Sequence, residues 1–241
     1  MLDLSTRAAV ITGATGNLGH AVVRAFLERG AHVAVPVRDA AKEAELRAAL
    51  GELAGTSDEP RILARVVDLS APLDMQAFVE HVMRTWGRLD ILANLAGGYG
   101  SASALDLEKI EALWDDNVRT AVTATAACVK PMRARRYGRI VTVSAYAAAV
   151  RTRKNGAPYA MGKGALLRWS EALADELKDE GITVNCVLPS TIDHPKNREN
   201  MPKADPKTWV SPDELAAVIV FLCSDEASGV TGAAIPVTAR T

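Results

Sequence analysis

Cysteine is scarce in this chain. The three residues, Cys128, Cys186 and Cys223, are odd in number, far apart and set in apolar runs. A disulfide framework and a thiolate zinc site are therefore excluded, and the thiols read as small buried hydrophobes of a reducing compartment. A dominant charge is also missing. The 28 Lys and Arg residues balance 29 Asp and Glu, for a net charge of −1. No basic field exists to hold nucleic acid or an anionic membrane surface. No apolar run reaches the roughly 18 residues that a membrane span needs. The start, "MLDLSTRAAVITGATG", enters a strand-like run with no cationic leader or long apolar segment, so a cytoplasmic location is expected. Four histidines, scattered along the chain, suggest no metal site.

What is present is alternation. Short apolar, β-branched runs ("AAVITG", "HVAVPV", "ILARVVD", "LDILANLAG", "RIVTVSA", "ITVNCVLPS", "AAIPVTA") alternate with amphipathic segments at 17–30, 39–54, 73–87, 107–136, 158–180 and 211–224. Strands apolar at successive positions are buried on both faces, which is the condition of a parallel sheet. The pattern predicts an α/β fold: one open, doubly wound sheet of seven parallel strands flanked by helices. The segment 191–210, "TIDHPKNRENMPKADPKTWV", is polar, proline-rich and too long for an ordinary connection. It is expected to be a substrate lid.

The first strand runs into "TGATGNLG", with Gly13, Gly16 and Gly19 in a strand–turn–helix–strand context. Such glycines permit a tight turn and let the backbone approach a pyrophosphate, which the following helix N-terminus attracts. Thr15, Asn17 and Leu18 lie within the same loop and are expected at the dinucleotide. At the tip of the second strand, "VPVRDA" places Val37 where an NAD site usually carries an acid. Arg38 offers a planar fork for a 2′-phosphate, and Asp39 suits the cap of the next helix. NADP(H) is thus favoured over NAD(H).

With these motifs in order, the chain resembles the short-chain dehydrogenase/reductase family over essentially its full length. The resemblance rests on "TGATGNLG", "VVDLS", "NLAGG", "WDDNVRT", "YAMGK" and "LPSTI". It implies a single Rossmann-type domain over 1–241 and a hydride transfer between NAD(P) and a carbonyl, alcohol or C=N substrate. Tyr159 would be the general acid/base. Lys163, on the same helix face at i+4, would lower the tyrosine pKa and hold the nicotinamide ribose. Asn117 would hold a relay water. Asp68 and Leu69 would meet the adenine, Asn94, Ala96 and Gly97 the adenosine side, and Pro189 and Ile192 the nicotinamide side. Family members pair the helices at 107–136 and 158–180, so a homo-oligomer is implied, a tetramer with a dimer as the smaller option.

The pattern also departs from the family. Asn17 stands where the family's second glycine usually stands. Counting back from Tyr159 places Tyr146 at the catalytic-serine position, and aligning on the strand places Ala145 there; Ser144 is adjacent to both. Ser144, Tyr146 or no hydroxyl is left as the substrate-orienting group. "LAGGYG" and the lid resemble the dihydropteridine reductase branch, which uses NADH, whereas "FLCSDEASGVTGAAIPV" resembles the 3-oxoacyl-thioester reductases. A dihydropteridine-reductase-like enzyme and a non-catalytic dinucleotide sensor are the competing readings. Tyr99 is a candidate to stack on a flat substrate, His194 a candidate lid contact, and Arg151, Arg153 and Lys154 read as a solvated basic loop.

Overall fold

A computed structural model describes residues 2–56 and 60–240. The first half alternates β1 (Ala8–Thr12), α1 (Asn17–Glu28), β2 (His32–Val37), α2 (Ala40–Leu50), β3 (Ile62–Val66), α3 (Pro72–Trp86) and β4 (Ile91–Asn94). Then come α4 (Leu107–Trp114), α5 (Thr120–Arg135), β5 (Gly138–Val143), α6 (Ala157–Leu177) and β6 (Ile182–Pro189). A short α7 (Pro195–Asn200), α8 (Pro212–Leu222) and β7 (Ala234–Val237) complete the chain. As the alternation predicts, the seven strands form one parallel sheet; their order is β3-β2-β1-β4-β5-β6-β7.

Both faces of the sheet are covered. All five residues of β1 and all eight of β6 are buried, which explains their largely apolar character. Val22, Val23, Phe26 and Leu27 of α1 pack with Leu215 and Ile219 of α8 in the core of one face. Met75 and Phe78 of α3 pack with Cys128 and Met132 of α5 in the core of the other. The three cysteines are free and buried. No helix among the described residues is long and apolar enough to cross a membrane, and no described group of histidine, cysteine or carboxylate side chains could hold a metal ion.

Two segments differ from the sequence pattern. The expected continuous helix at 107–136 is broken by a π-turn at Asp115–Arg119, which separates α4 from α5. A π-turn inserts a residue without breaking helical phase for long, so apolar periodicity does not reveal it. The segment 191–210 is not structureless: it holds α7, a single 3₁₀ turn at Pro206–Thr208 and a bridge between Ile192 and Val210.

At the amino edge of the sheet, Asp90 is fully buried. It accepts the Ala8 N–H at 2.9 Å and a two-pronged contact from Arg88 at 2.6 and 2.8 Å. Removing the carboxylate leaves a buried N–H and a guanidinium without their partner. Asp90→Ala is expected to lose about 3–5 kcal/mol of unfolding free energy in urea titrations, and Asp90→Asn less; a loss below 1 kcal/mol in the alanine variant would contradict this role.

Candidate active site

The strand order reverses between β1 and β4, and the crevice of an open α/β sheet lies at such a point, beyond the carboxyl ends of the strands. Thr12 and Asn94 are paired there as the last residues of the two strands. Thr12 Oγ1 accepts the N–H groups of Leu95 and Ala96, both at 3.1 Å, and so fixes the loop after β4 against the loop after β1. The sequence reading did not single out Thr12; its place just before Gly13 in the glycine motif was the available signal.

Gly13 has φ +66°, and a Cβ there would lie 2.7 Å from the Ala96 nitrogen. A Cβ on Gly19 would collide with the Gly13 carbonyl oxygen. The turn is therefore possible only with glycine at these two places. Gly16 caps α1 with no side-chain hydrogen bond, and no acid stands in the first turn. The open N–H groups and the dipole there suit a pyrophosphate. Thr15 and Leu18 are half-buried along this loop, and Asn17 Nδ2 donates to the Asp193 carbonyl at 2.9 Å. At the tip of β2 Arg38 is exposed. Asp39 caps α2 by accepting from the Lys42 N–H at 2.9 Å, so its carboxylate is engaged in the helix start. Asp68 is exposed and binds the Ser70 hydroxyl at 2.7 Å and its N–H at 2.8 Å; the hydroxyl first, then the amide, hold its carboxyl below the usual range. Leu69 beside it is half-buried. These groups line one path from the tips of β2 and β3 to α1.

A second cluster of candidate residues lies between β4, β5 and α6. Lys163 is 6% exposed, and its ammonium donates to the Val143 carbonyl at 3.0 Å. Burial pulls this amine down to about 8. Asn117 sits in the π-turn, 1% exposed, with Nδ2 donating to Gly98 O at 3.0 Å and Leu113 O at 2.9 Å. Its Oδ1 is buried and has no partner among the described residues. A Cβ on Gly97 would collide with this Oδ1 and lie 3.3 Å from Lys163 Nζ. Gly97, Asn117 and Lys163 thus converge, and an orphaned acceptor faces their meeting point. Asn94 is buried and donates to Thr125 Oγ1 at 2.9 Å, with its own Oδ1 unpartnered.

Tyr159 is half-buried one helical turn before Lys163, whose Nζ lies 5.9 Å from the centre of its ring. The ring of Tyr99, itself 76% exposed, meets it edge-on with centroids 5.1 Å apart. Burial, then the neighbouring Tyr99, push the Tyr159 phenol up to about 12. The sequence reading expected Lys163 to lower this pKa. Within the chain itself burial sets the direction and Tyr99 adds to it, with no opposing pull from the ammonium.

Ser144 follows β5 and is 2% exposed. Its hydroxyl donates to the Lys163 carbonyl at 2.7 Å. Its single proton is committed to α6, and a substrate oxygen would have to compete for it. Tyr146, in the next turn, is 38% exposed, and Ala145 between them is buried. Pro189 is buried at the end of β6 and Ile192 half-buried beyond it. His194 caps α7, its Nδ1 accepting from Lys196 N at 3.0 Å. Arg151, Arg153 and Lys154 are exposed.

The buried ammonium carries a stability cost with a definite pH range. Below about 8 both folded and unfolded chains hold the Lys163 proton, and the folded chain bears the full desolvation. From there to the normal lysine range the folded chain releases the proton while the unfolded chain keeps it, so stability from this group rises with pH. Lys163→Met is therefore expected to be about 2 kcal/mol more stable than the parent at pH 7, after the lost bond to Val143 is counted. The gain should shrink between pH 8 and 10; urea titrations at the two ends check it, and a gain that grows with pH would contradict it.

Comparison with known proteins identifies the family and the fold. Residues 7–205 match the short chain dehydrogenase family. A cyclohexanol dehydrogenase of Rhodococcus sp. (strain TK6) is 32% identical, over 98% of this chain and 96% of its own. An NAD+-bound xylitol dehydrogenase superposes with TM-score 0.87 at 24% identity, covering 97% of this chain and 98% of its own. ElxO with NADP bound superposes with TM-score 0.85 at 21% identity, covering 95% and 96%. The chain belongs to the short chain dehydrogenase family of NAD(P)-dependent oxidoreductases.

Proposed function

We propose that this chain reduces a carbonyl or C=N group, or oxidises the corresponding alcohol or amine, with Tyr159 as general acid/base and NADP(H) as the preferred nucleotide. The observation that carries the reading is the convergence of Gly97, the orphaned Asn117 Oδ1 and the Lys163 ammonium one turn from Tyr159. When bound, the dinucleotide supplies or accepts the hydride. The loop of Gly13, Thr15, Gly16, Asn17, Leu18 and Gly19 holds its pyrophosphate. Asp68 and Leu69 meet the adenine, Asn94, Ala96 and Gly97 the adenosine side, and Pro189 and Ile192 the nicotinamide side. Lys163 holds the nicotinamide ribose.

In reduction, the Tyr159 hydroxyl gives its proton to the substrate oxygen or nitrogen as the new C–H bond forms. The phenolate left behind regains a proton from the Lys163 ammonium. Lys163 is reprotonated through a water on Asn117 Oδ1, whose lone pairs are otherwise unused. At neutral pH the proton of Tyr159 is firmly held, since its pKa is pushed up to about 12. That suits an acid awaiting a developing anion. With its proton committed to Lys163 O, Ser144 positions the lysine turn instead of the substrate. A C=N substrate, which needs less help from a hydroxyl than a ketone does, fits this arrangement as the second reading.

The two dinucleotide-bound neighbours share this fold and hold different nucleotides. The choice therefore belongs to side chains at the tip of β2. Arg38 is exposed there and Asp39 is occupied as a helix cap, which favours a 2′-phosphate. Trp114, Val122 and Met161 are exposed apolar residues on α4–α6, and they fit burial in a homo-oligomer, a tetramer or a dimer. A cytoplasmic protein with residues 191–210 as substrate lid completes the proposal.

Nicotinamide fluorescence titration is the test. NADPH should bind more tightly than NADH, and Arg38→Ala should weaken NADPH by about 10- to 100-fold while leaving NADH nearly unchanged. In a screen of ketones, thioesters, quinones and cyclic imines, Tyr159→Phe should cost about 10²–10⁴ in rate with nucleotide binding retained. Full activity in that variant would defeat the mechanism, and binding without turnover of any substrate would favour the sensor reading.

A further inference from the structure

Asn17 occupies the first position of α1, in the turn that approaches the pyrophosphate. Its Nδ2 donates to the backbone carbonyl of Asp193, 176 residues further on, at 2.9 Å. Among the described residues, this is the one hydrogen bond between the loop 13–20 and the segment 191–210.

The segment it reaches is knit as a small plate. Asp193 N donates to Val210 O at 2.8 Å, and Val210 N to Thr191 O at 2.9 Å. Asn197 Nδ2 donates to Ile192 O at 2.8 Å. The Asp193 carboxylate takes both prongs of Arg198, at 2.7 and 2.6 Å. A pull on Asp193 is therefore transmitted to α7 and to Val210. A glycine at position 17 has no side-chain amide to make the bond.

We propose that Asn17 is a positioning residue that couples the dinucleotide loop to the lid, so that nucleotide in the loop steadies residues 191–210 and a steadied lid tightens the nucleotide. The proposal rests on the dinucleotide reading of the site given above. Coupling of this kind is reciprocal. One partly buried neutral hydrogen bond shifts an opening equilibrium by about three- to tenfold.

Hydrogen exchange followed by mass spectrometry separates the possibilities, with parent and Asn17→Ala compared alone, with NADPH and with NADH. Exchange in 191–200 should be about three- to tenfold faster in the variant, with β1 unchanged. The preferred nucleotide should slow this segment in the parent and do so less in the variant. With a substrate identified by the screen, the variant should raise KM more than it lowers kcat. Equal lid exchange in the two proteins would overturn the tether, as would a rise spread evenly over α1 and β1, which is the signature of a weakened helix. Nucleotide binding without any change in lid exchange overturns the coupling alone. Binding of neither nucleotide by the parent overturns the functional reading and the coupling with it, while the nucleotide-free comparison still judges the tether.

Discussion

The pairing of β1 with β4 at the centre of the sheet is the contact on which the rest depends. The chain winds outward to β3, then returns to lie beside its first strand. The loops leaving β1 and β4 must therefore diverge to opposite faces, and the space between them is the crevice. Thr12 holds the two loops together where they part. Once that register is set, Gly13 meets Ala96, and Gly97 meets Asn117 and Lys163. No later element could place these groups if the central pair slipped by one residue, because every side chain would change faces.

The crevice keeps polar groups in a state that a purely structural core avoids. Asn94 Oδ1, Asn117 Oδ1 and Thr142 Oγ1 are buried without partners near the carboxyl edge. At the amino edge the corresponding groups are satisfied: Asp90 is surrounded by donors, and Tyr137 lies between the guanidinium groups of Arg7 and Arg139 with its hydroxyl on Asp225. Thr183 Oγ1, at the start of β6, and Arg29 Nε, at the end of α1, are exceptions there. A buried unsatisfied atom costs about 1–3 kcal/mol. Asn117 Oδ1 is the one of these atoms that meets Gly97 and Lys163, and a ligand there would supply its missing partner.

The fold was legible because burial on both faces leaves a direct mark. Strands such as "AAVIT" and "ITVNCVLP" are buried at successive positions and mostly apolar, with Thr183 and Asn185 the polar residues of the second. The residues of the candidate site stood out through motif order, with Tyr159 and Lys163 set one turn apart by helix geometry. Three features did not. The π-turn under Asn117 changes hydrogen bonding without changing composition. The shift that burial gives Tyr159 and Lys163 depends on depth, which spacing does not encode. The bond from Asn17 joins residues 176 apart, and it announces itself in the sequence only as a glycine that is not there.

The state of Ser144 follows from the same geometry. β5 ends at Val143, whose carbonyl receives the Lys163 ammonium, and Ser144 N donates to Val187 O at 2.9 Å. With its backbone still held by β6, the side chain of Ser144 turns toward α6 and bonds the carbonyl of the lysine itself. Two successive residues therefore grip one lysine, at its head and at its backbone. A lysine whose ammonium is withdrawn from water has a strong tendency to swing back toward solvent. Holding it at both ends keeps the charge beside Tyr159, where a developing phenolate would need it. Under the mechanism proposed above, a serine spent on this grip would leave the proton of Tyr159 as the main stabiliser of the substrate's new charge, which would favour electrophiles already inclined to accept a hydride.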